Sequence, residues 1–450
     1  MKKILIAIGL FCGLSTTVIA QEKTPHIVLI TIDGFRPDFY LEEQWGMHTV
    51  RELMKNGVAA KAVTPIFPSV TYPDHTTIIT GEFPAQHGIV YNNIFDPATG
   101  SQKWYWDYSA IKIPTLYDVV KQKKLTSANV IWPVTVNAPI DYNVPDIWDL
   151  NNGYDRRSIT ALYTTPYSLW REIQNEATGT LRAKDWTMTE EELIMDENIA
   201  RMGSYMIQQY QPNLLTLHFP CTDHYEHQDG LDSPLVRASV AGADRAIKTI
   251  IEALDRSKLK DNYVIIITGD HGFEKITHRL QPNIWLKDAG LLNDAKTMDW
   301  KAMFHTQGGS AFLRVQGKDK VKTIEKVKAL LEKQPQEIRN RYRMISKEEL
   351  QKLGADPEAE LALTGLDHTT FGGGLKGEVL SKLNKEGGAH GFLNSDKSMQ
   401  TGFVAFGKGI KQGVVIEQMA LIDICPFISE LLELDFKFLS KELKQQLLSI

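Results

Sequence analysis

Short apolar runs recur along this chain, separated by longer stretches with helical spacing. Strand candidates are Ile27–Ile32, Asn129–Trp132, Leu214–Phe219, Val264–Thr268 and Gly402–Phe406. Helix candidates between them include Pro114–Lys123, Asp196–Tyr210, Ser233–Leu254 and Ile422–Leu434. A strand that is apolar at every position, not at alternate ones, is covered on both faces. Alternation of such strands with helices predicts a doubly wound α/β fold with a mainly parallel sheet. From about residue 274 to residue 386 the pattern changes to a Lys-rich helical stretch, VKTIEKVKALLEKQ, a charged SKEELQKLG and a Gly-rich FGGGLKG. This predicts a smaller α+β cap, 274–386, inserted into a core of 21–273 and 387–450, because long structureless loops are uncommon.

The first 20 residues read differently. Lys2 and Lys3 precede the apolar ILIAIGLFCGL, and Val18-Ile19-Ala20 offers a small-residue cleavage site. This is the layout of a secretory signal, and the apolar stretch is short for a membrane span. A periplasmic or secreted protein without a stable span after processing is expected. Phe11 before Cys12 is too bulky for a good lipoprotein processing site. The remaining Cys221 and Cys425 sit in or beside apolar runs and read as buried thiols, not as a disulfide framework. With 450 residues, 43% of them hydrophobic, and a net charge of −5 without single-sign blocks, a large core is available and no nucleic-acid-binding surface is evident.

The chemistry-bearing residues lie mostly where the apolar runs end. Asp33 follows the first run; Asp223 and His227 follow the third; Asp270 and His271 follow the fourth; His390 lies in GGAHGF. In an open α/β sheet ligands bind beyond the carboxyl ends of the strands, so the three Asp residues are expected on one edge. An Asp at a strand end is ordinarily a turn or cap residue, but recurrence at independent strands argues for a shared role. Three close carboxylates need counter-charge, and three Asp with three His suit two divalent cations, most naturally zinc. Asp223 and His227, four apart, face one way on a helical turn, while the Asp270-His271 pair requires the backbone to leave the strand, with Gly272 allowing a turn. His26, His48, His278 and His305 read as structural or surface residues; His75 and His224 adjoin the candidate site. Thr71 opens a helix with Pro73 in its first turn, where it is either a simple N-cap or a hydroxyl poised at a phosphate-binding helix terminus.

Taken together, TYPDHTTIITG with HGIVYNN, VLITIDGFRPD, TDHYEH, TGDHGF, AHGF and FVAFGKGIKQGV resemble the nucleotide pyrophosphatase/phosphodiesterase family of the alkaline phosphatase superfamily, in order and spacing and over nearly the whole mature chain. The resemblance implies two zinc sites, one of Asp223, His227 and His390, the other of Asp33, Asp270 and His271 with Thr71. It implies Thr71 as the nucleophile and Asn92 as the partner of the Thr71 N–H in holding a phosphate oxygen. Tyr72 stands where nucleotide-cleaving members carry a base-packing Phe, and Trp132 and Tyr154 are further candidates for the substrate pocket. Two departures bear on the substrate: Val134-Thr135 replaces the usual Gly-Ser, and Asp74 stands where many members have Asn. The Lys-x-Arg clamp of related monoesterases is missing from NVIWPVTVNAPIDY, and Arg156 and Arg157 lie beyond it.

The expectation is a phosphodiesterase or pyrophosphatase acting on a small-molecule diester or nucleotide through a covalent threonine intermediate. A phosphomonoesterase or phosphonate hydrolase is the alternative enzyme. A non-catalytic surface protein binding metal or ligand is the rival class, disfavoured by the completeness of the set. A sulfatase is excluded because Cys425-Pro426 does not fit its motif and Thr71 cannot supply its formylglycine. Oligomeric state is not readable.

Overall fold

The computed structural model describes residues 24–98, 103–150, 155–187 and 193–449; the expected signal segment, residues 1–20, lies outside them. A nine-stranded sheet forms the centre. In chain order its first six strands are β1 (His26–Ile32), β2 (Val58–Thr64), β3 (Ser127–Val130), β4 (Tyr142–Val144), β5 (Leu214–Phe219) and β6 (Tyr263–Thr268). β6, β1, β5, β3 and β4 lie side by side and parallel. The Thr401–Gly407 strand runs antiparallel between β6 and β2, and the short strands Val414–Ile416 and Met419–Ala420 finish that edge.

The all-apolar strands are explained by two covered faces. Val28, Ile30, Leu215, Leu217, Ile265 and Ile267 pack in one layer with the helices Ile194–Gln209 and Pro234–Arg256. Their alternates Ile27, Leu29, Leu214, Val264 and Ile266 pack in the other with residues of the helices Thr71–Thr80, Leu116–Gln122 and Ile424–Leu431. Each Val, Ile or Leu so buried contributes roughly 1.5–3 kcal/mol, so the sheet is the rigid base on which loops at its carboxyl edge are held.

Two expectations shift, and two strands are added. The Asn129–Trp132 candidate ends at Val130, because Ile131 turns out of the strand at φ 51°. The Gly402–Phe406 run is a strand, but antiparallel, a direction that an apolar run does not encode. β2 and β4 were not singled out; β2 breaks its apolar run with the exposed Lys61, and β4 is only three residues long.

Between β6 and the antiparallel strand the chain builds further sheets. A four-stranded antiparallel sheet joins Ala302–Gln307, Ser310–Val315, Leu361–Gly365 and Tyr342–Ser346. With the helix Lys320–Glu332 it encloses its own core around Phe304, Leu313, Val327 and Leu363. A three-stranded sheet of Thr369–Phe371, Glu274–Leu280 and Leu380–Ala389 returns the chain to the site.

Candidate metal centre and active site

Each candidate ligand is delivered by a strand end or by an element locked to one. The Asp33 N–H donates to the Phe219 carbonyl at 2.9 Å, extending the β1–β5 ladder by one step and placing Asp33 at the sheet edge. Beyond β5, Pro220 caps the helix Cys221–Asp229; Asp223 lies in its first turn and His227 one turn later. Beyond β6, Asp270 accepts the Gly34 N–H at 3.1 Å and the His271 N–H at 3.0 Å, which ties the β6 end to the β1 end. His390 follows the strand Leu380–Ala389, whose Ala389 pairs with Glu274 just after His271. That register stacks the His271 and His390 rings at 3.7 Å and 10°.

Gly272 is required here by space, not by turn conformation: a Cβ would stand 2.1 Å from the Ser398 carbonyl oxygen. Gly391, at φ +85°, is required on both grounds, since a Cβ there would meet the Gln307 carbonyl oxygen at 2.3 Å.

The imidazoles are oriented by their other nitrogen. Nδ1 of His227 pairs with the Gly388 carbonyl at 3.0 Å, Nδ1 of His390 with the Ser69 carbonyl at 3.0 Å, and Nδ1 of His271 with the Gly272 carbonyl at 3.2 Å. Each ring thereby offers Nε2 to the centre, the arrangement that metal-binding histidines use. Asp33, Asp270 and His271 bring one ligand atom apiece within 4.8 Å of one another, and so do Asp223, His271 and His390. His227 Nε2 lies 3.4 Å from Asp223 Oδ1, and its ring stands 4.9 Å from that of His390.

The electrostatics call for a cation. Asp33 Oδ1, Asp223 Oδ1 and Asp270 Oδ2 are buried with no hydrogen-bond partner. Two like charges less than 5 Å apart repel by about 3–4 kcal/mol at an effective dielectric near 20. Burial, reinforced by Asp223 and Asp270, accordingly holds Asp33 well above the ordinary carboxylate range. Burial and Asp223 push Asp270 up to about 7. Burial acts upward on Asp223 as well, but His227, His390 and His271 outweigh it and hold that carboxyl low. Burial pushes His390 down to about 4. Imidazoles presenting Nε2 beside buried carboxylate oxygens without a hydrogen-bond partner form a donor set that fits divalent metal.

Thr71 is the first residue of its helix, with Val70 as the cap, so its hydroxyl is not a capping group. Its Oγ1 lies 3.5 Å from Nε2 of His271, the residue common to both candidate ligand groups. In that first turn the Tyr72 N–H donates to Asn92 Oδ1 at 2.8 Å and the Asp74 N–H to the Val70 carbonyl at 3.1 Å, and Pro73 has none. The Thr71 N–H is left as the first-turn donor without a protein acceptor among the described residues. Because Asn92 uses its oxygen on Tyr72, its amide NH2 is the group left for a ligand.

A cavity of about 610 Å³ opens over these residues, with Asp33, Thr71, Asn92, Asp223, His227 and His390 on its floor. Asp270 and His271 are fully buried beneath. Of the expected pocket residues, Tyr72 reaches the wall. Trp132 does not: it is fully buried, edge-on to His75 at 4.7 Å, and belongs to the sheet's core. Tyr154 lies outside the described residues. His224 lines the cavity, whereas His75 is buried and bonds Thr31 Oγ1 and the Thr71 carbonyl, each at 2.8 Å. Cys221 and Cys425 are buried free thiols. Residues that the sequence reading passed over or left open also line the cavity: Trp104, Asp146, Trp148, Arg156 and His218. The aromatic cluster KWYWD in an otherwise polar loop was the available signal for Trp104.

The doubly wound sheet with its donor-lined carboxyl edge defines an alkaline phosphatase-like α/β protein. The chain belongs to the type I phosphodiesterase / nucleotide pyrophosphatase family, whose model matches residues 27–393. It is 30% identical over 260 residues to human ectonucleotide pyrophosphatase/phosphodiesterase family member 5, covering 58% of this chain and 47% of that protein. It is 22% identical over 439 residues to human family member 7, covering 93% and 82%. The chain thus spans about half the length of the curated relatives it matches first. A solved structure of murine ectonucleotide pyrophosphatase/phosphodiesterase 5, an inactive Thr→Ala variant in complex with AMP, superposes with a TM-score of 0.68 at 19% identity, covering 94% of this chain and all of that one. Among the described residues no helix is long and apolar enough to cross a membrane.

Proposed function

We propose that this protein is an exported two-zinc phosphodiesterase or nucleotide pyrophosphatase that works through a covalent Thr71 intermediate. The observation that supports the reading is the set of three buried carboxylate oxygens of Asp33, Asp223 and Asp270 without a hydrogen-bond partner, with Thr71 Oγ1 3.5 Å from Nε2 of His271, the residue common to both ligand groups. Asp33, Asp270 and His271 would hold one zinc next to Thr71; Asp223, His227 and His390 would hold the other. Bound zinc supplies positive charge for the phosphate and makes a hydroxyl acidic enough to react near neutral pH.

The chain's own groups do the rest. Thr71 Oγ1 forms the new bond to phosphorus as its proton leaves to solvent, and the ester or anhydride oxygen departs in line. Water then attacks the same phosphorus and releases Thr71. The Thr71 N–H and the Asn92 amide NH2 donate to the non-bridging oxygens, whose charge grows in the transition state. The N-terminus of the Thr71–Thr80 helix favours the same anion.

The diester is preferred over the monoester because of charge. Arg156 is the lysine or arginine lining the cavity among the described residues, and it is already ion-paired with Asp146. No free cation is left there for the additional charge of a monoester dianion. Rates on bis(p-nitrophenyl) phosphate and p-nitrophenyl phosphate test this in one assay. The diester is expected to be cleaved faster; a faster monoester would reverse the assignment, and bound zinc with neither activity would make this a binding protein. The exported location is supported by the N-terminal segment and by relatives named as ectoenzymes. N-terminal sequencing of the mature protein is expected to begin at Gln21.

A further inference from the structure

Asn92, which the phosphodiesterase reading assigns to the phosphate oxygens, is held on its own side of the cavity by little. Its side-chain oxygen accepts the Tyr72 N–H, and its carbonyl accepts the Tyr105 N–H at 3.3 Å. The residues on either side of it are anchored elsewhere, on the four-stranded antiparallel sheet. Tyr91 is fully buried, packs on Phe312 at 4.9 Å and stands edge-on to His305 at 4.6 Å. Its hydroxyl donates to Asp356, which is ion-paired with Arg314. Asn93 Oδ1 accepts from Gln307 Nε2 at 3.0 Å, and the His305 ring is hydrogen-bonded to the Asn93 backbone. Gln307 Nε2 also lies 2.8 Å from His305 Nε2. Burial pushes His305 down to about 3 and keeps the ring neutral, so that nitrogen can accept the second amide hydrogen of Gln307.

Gln307 ends the strand Ala302–Gln307 and pairs with Ser310 across the two-residue turn Gly308-Gly309. A hairpin this tight fixes where both of its strands end. The same turn grips the segment of a candidate metal ligand. The Gly309 N–H donates to the His390 carbonyl at 2.8 Å, and the Gln307 carbonyl oxygen leaves no room for a Cβ on Gly391. One hairpin therefore touches both the loop of the phosphate donor and the segment of His390. Bound phosphate must meet both at once, and a misplacement of about 1 Å can cost roughly a hundredfold in rate.

We infer that Gln307 is a positioning residue for the reaction: through Asn93 it sets the place of the Asn92 amide relative to His390. Gln307 is only 6% exposed and is not among the residues lining the cavity, so it acts without touching substrate. The inference rests on the phosphodiesterase reading and adds to it a residue outside the cavity.

A double-mutant cycle on the zinc-loaded mature protein tests this with Gln307→Met, which keeps the side-chain length and removes the amide. Gln307→Met is expected to lower kcat on bis(p-nitrophenyl) phosphate about tenfold, with little change in KM and full zinc content. Calorimetry is expected to show a similar loss in binding of orthovanadate, an oxyanion that adopts the transition-state geometry. In the Asn92→Ala background the same substitution is expected to change neither quantity by more than about twofold, because the group it places is gone. Tyr91→Phe, which removes only the hydroxyl bonded to Asp356, is a second variant expected to show the same dependence on Asn92. A loss of equal size with and without Asn92, or wild-type kcat in both variants, overturns the positioning role and leaves the diesterase standing. Wild-type protein that binds zinc and cleaves no diester overturns the phosphodiesterase reading, and this inference with it.

Discussion

Individual residues divide into those that the sequence displays and those that only packing reveals. Asp33, Asp223 and Asp270 were legible because each follows an apolar run whose end must reach the sheet edge. Asn92 was legible only through resemblance; its role as acceptor for the Tyr72 N–H, which turns its NH2 toward the cavity, is a matter of geometry. Asn92→Ala removes that donor and the clamp on Tyr72. It is expected to lower kcat on a diester roughly a hundredfold, about 3 kcal/mol, with little change in bound zinc. Steady-state kinetics with metal analysis checks this, and a defect confined to KM would instead mean simple ground-state binding. Trp132 shows the opposite case. The family resemblance pointed to Trp132 as a pocket aromatic, but after the turn at Ile131 it lies buried in the core against His75. Nothing in the local pattern distinguishes these outcomes.

Elements were legible in proportion to their burial. β1, β5 and β6 are unbroken apolar runs because helices cover both faces, and they carry three of the ligands. The long helices Ile194–Gln209 and Pro234–Arg256 fall close to their expected bounds. Direction and register were not legible: the antiparallel Thr401–Gly407 strand and the Ala389–Glu274 pairing depend on contacts distant in sequence. That pairing brings His390 beside His271, and the close packing at Gly272 keeps it there. Gly272→Ala would force the backbone away from the Ser398 carbonyl. It is expected to cost about 1–3 kcal/mol and to lower the zinc retained, because His271 and the Glu274–Leu280 strand move with it. Thermal unfolding with metal content reads both effects; a variant with normal stability and full zinc would show that the contact relaxes elsewhere.

At the scale of the molecule, two covered sheet faces hold a loop edge on which buried carboxylates confront one another. On the proposed two-zinc reading, that arrangement ties the stability of the fold to bound metal. Chelation is expected to lower the melting temperature, and restored zinc to raise it again, since free metal at a hundredfold excess over Kd adds about 2.7 kcal/mol. Calorimetry with and without chelator measures this, and identical melting curves would remove the structural argument for counter-charge.

The most direct test of the central claim is turnover of bis(p-nitrophenyl) phosphate by Thr71→Ala protein with its zinc content measured in the same sample. Full zinc occupancy with activity lost is expected, because the proposed ligands of both triads remain and only the attacking oxygen is gone. Wild-type turnover by the metal-loaded variant would contradict it.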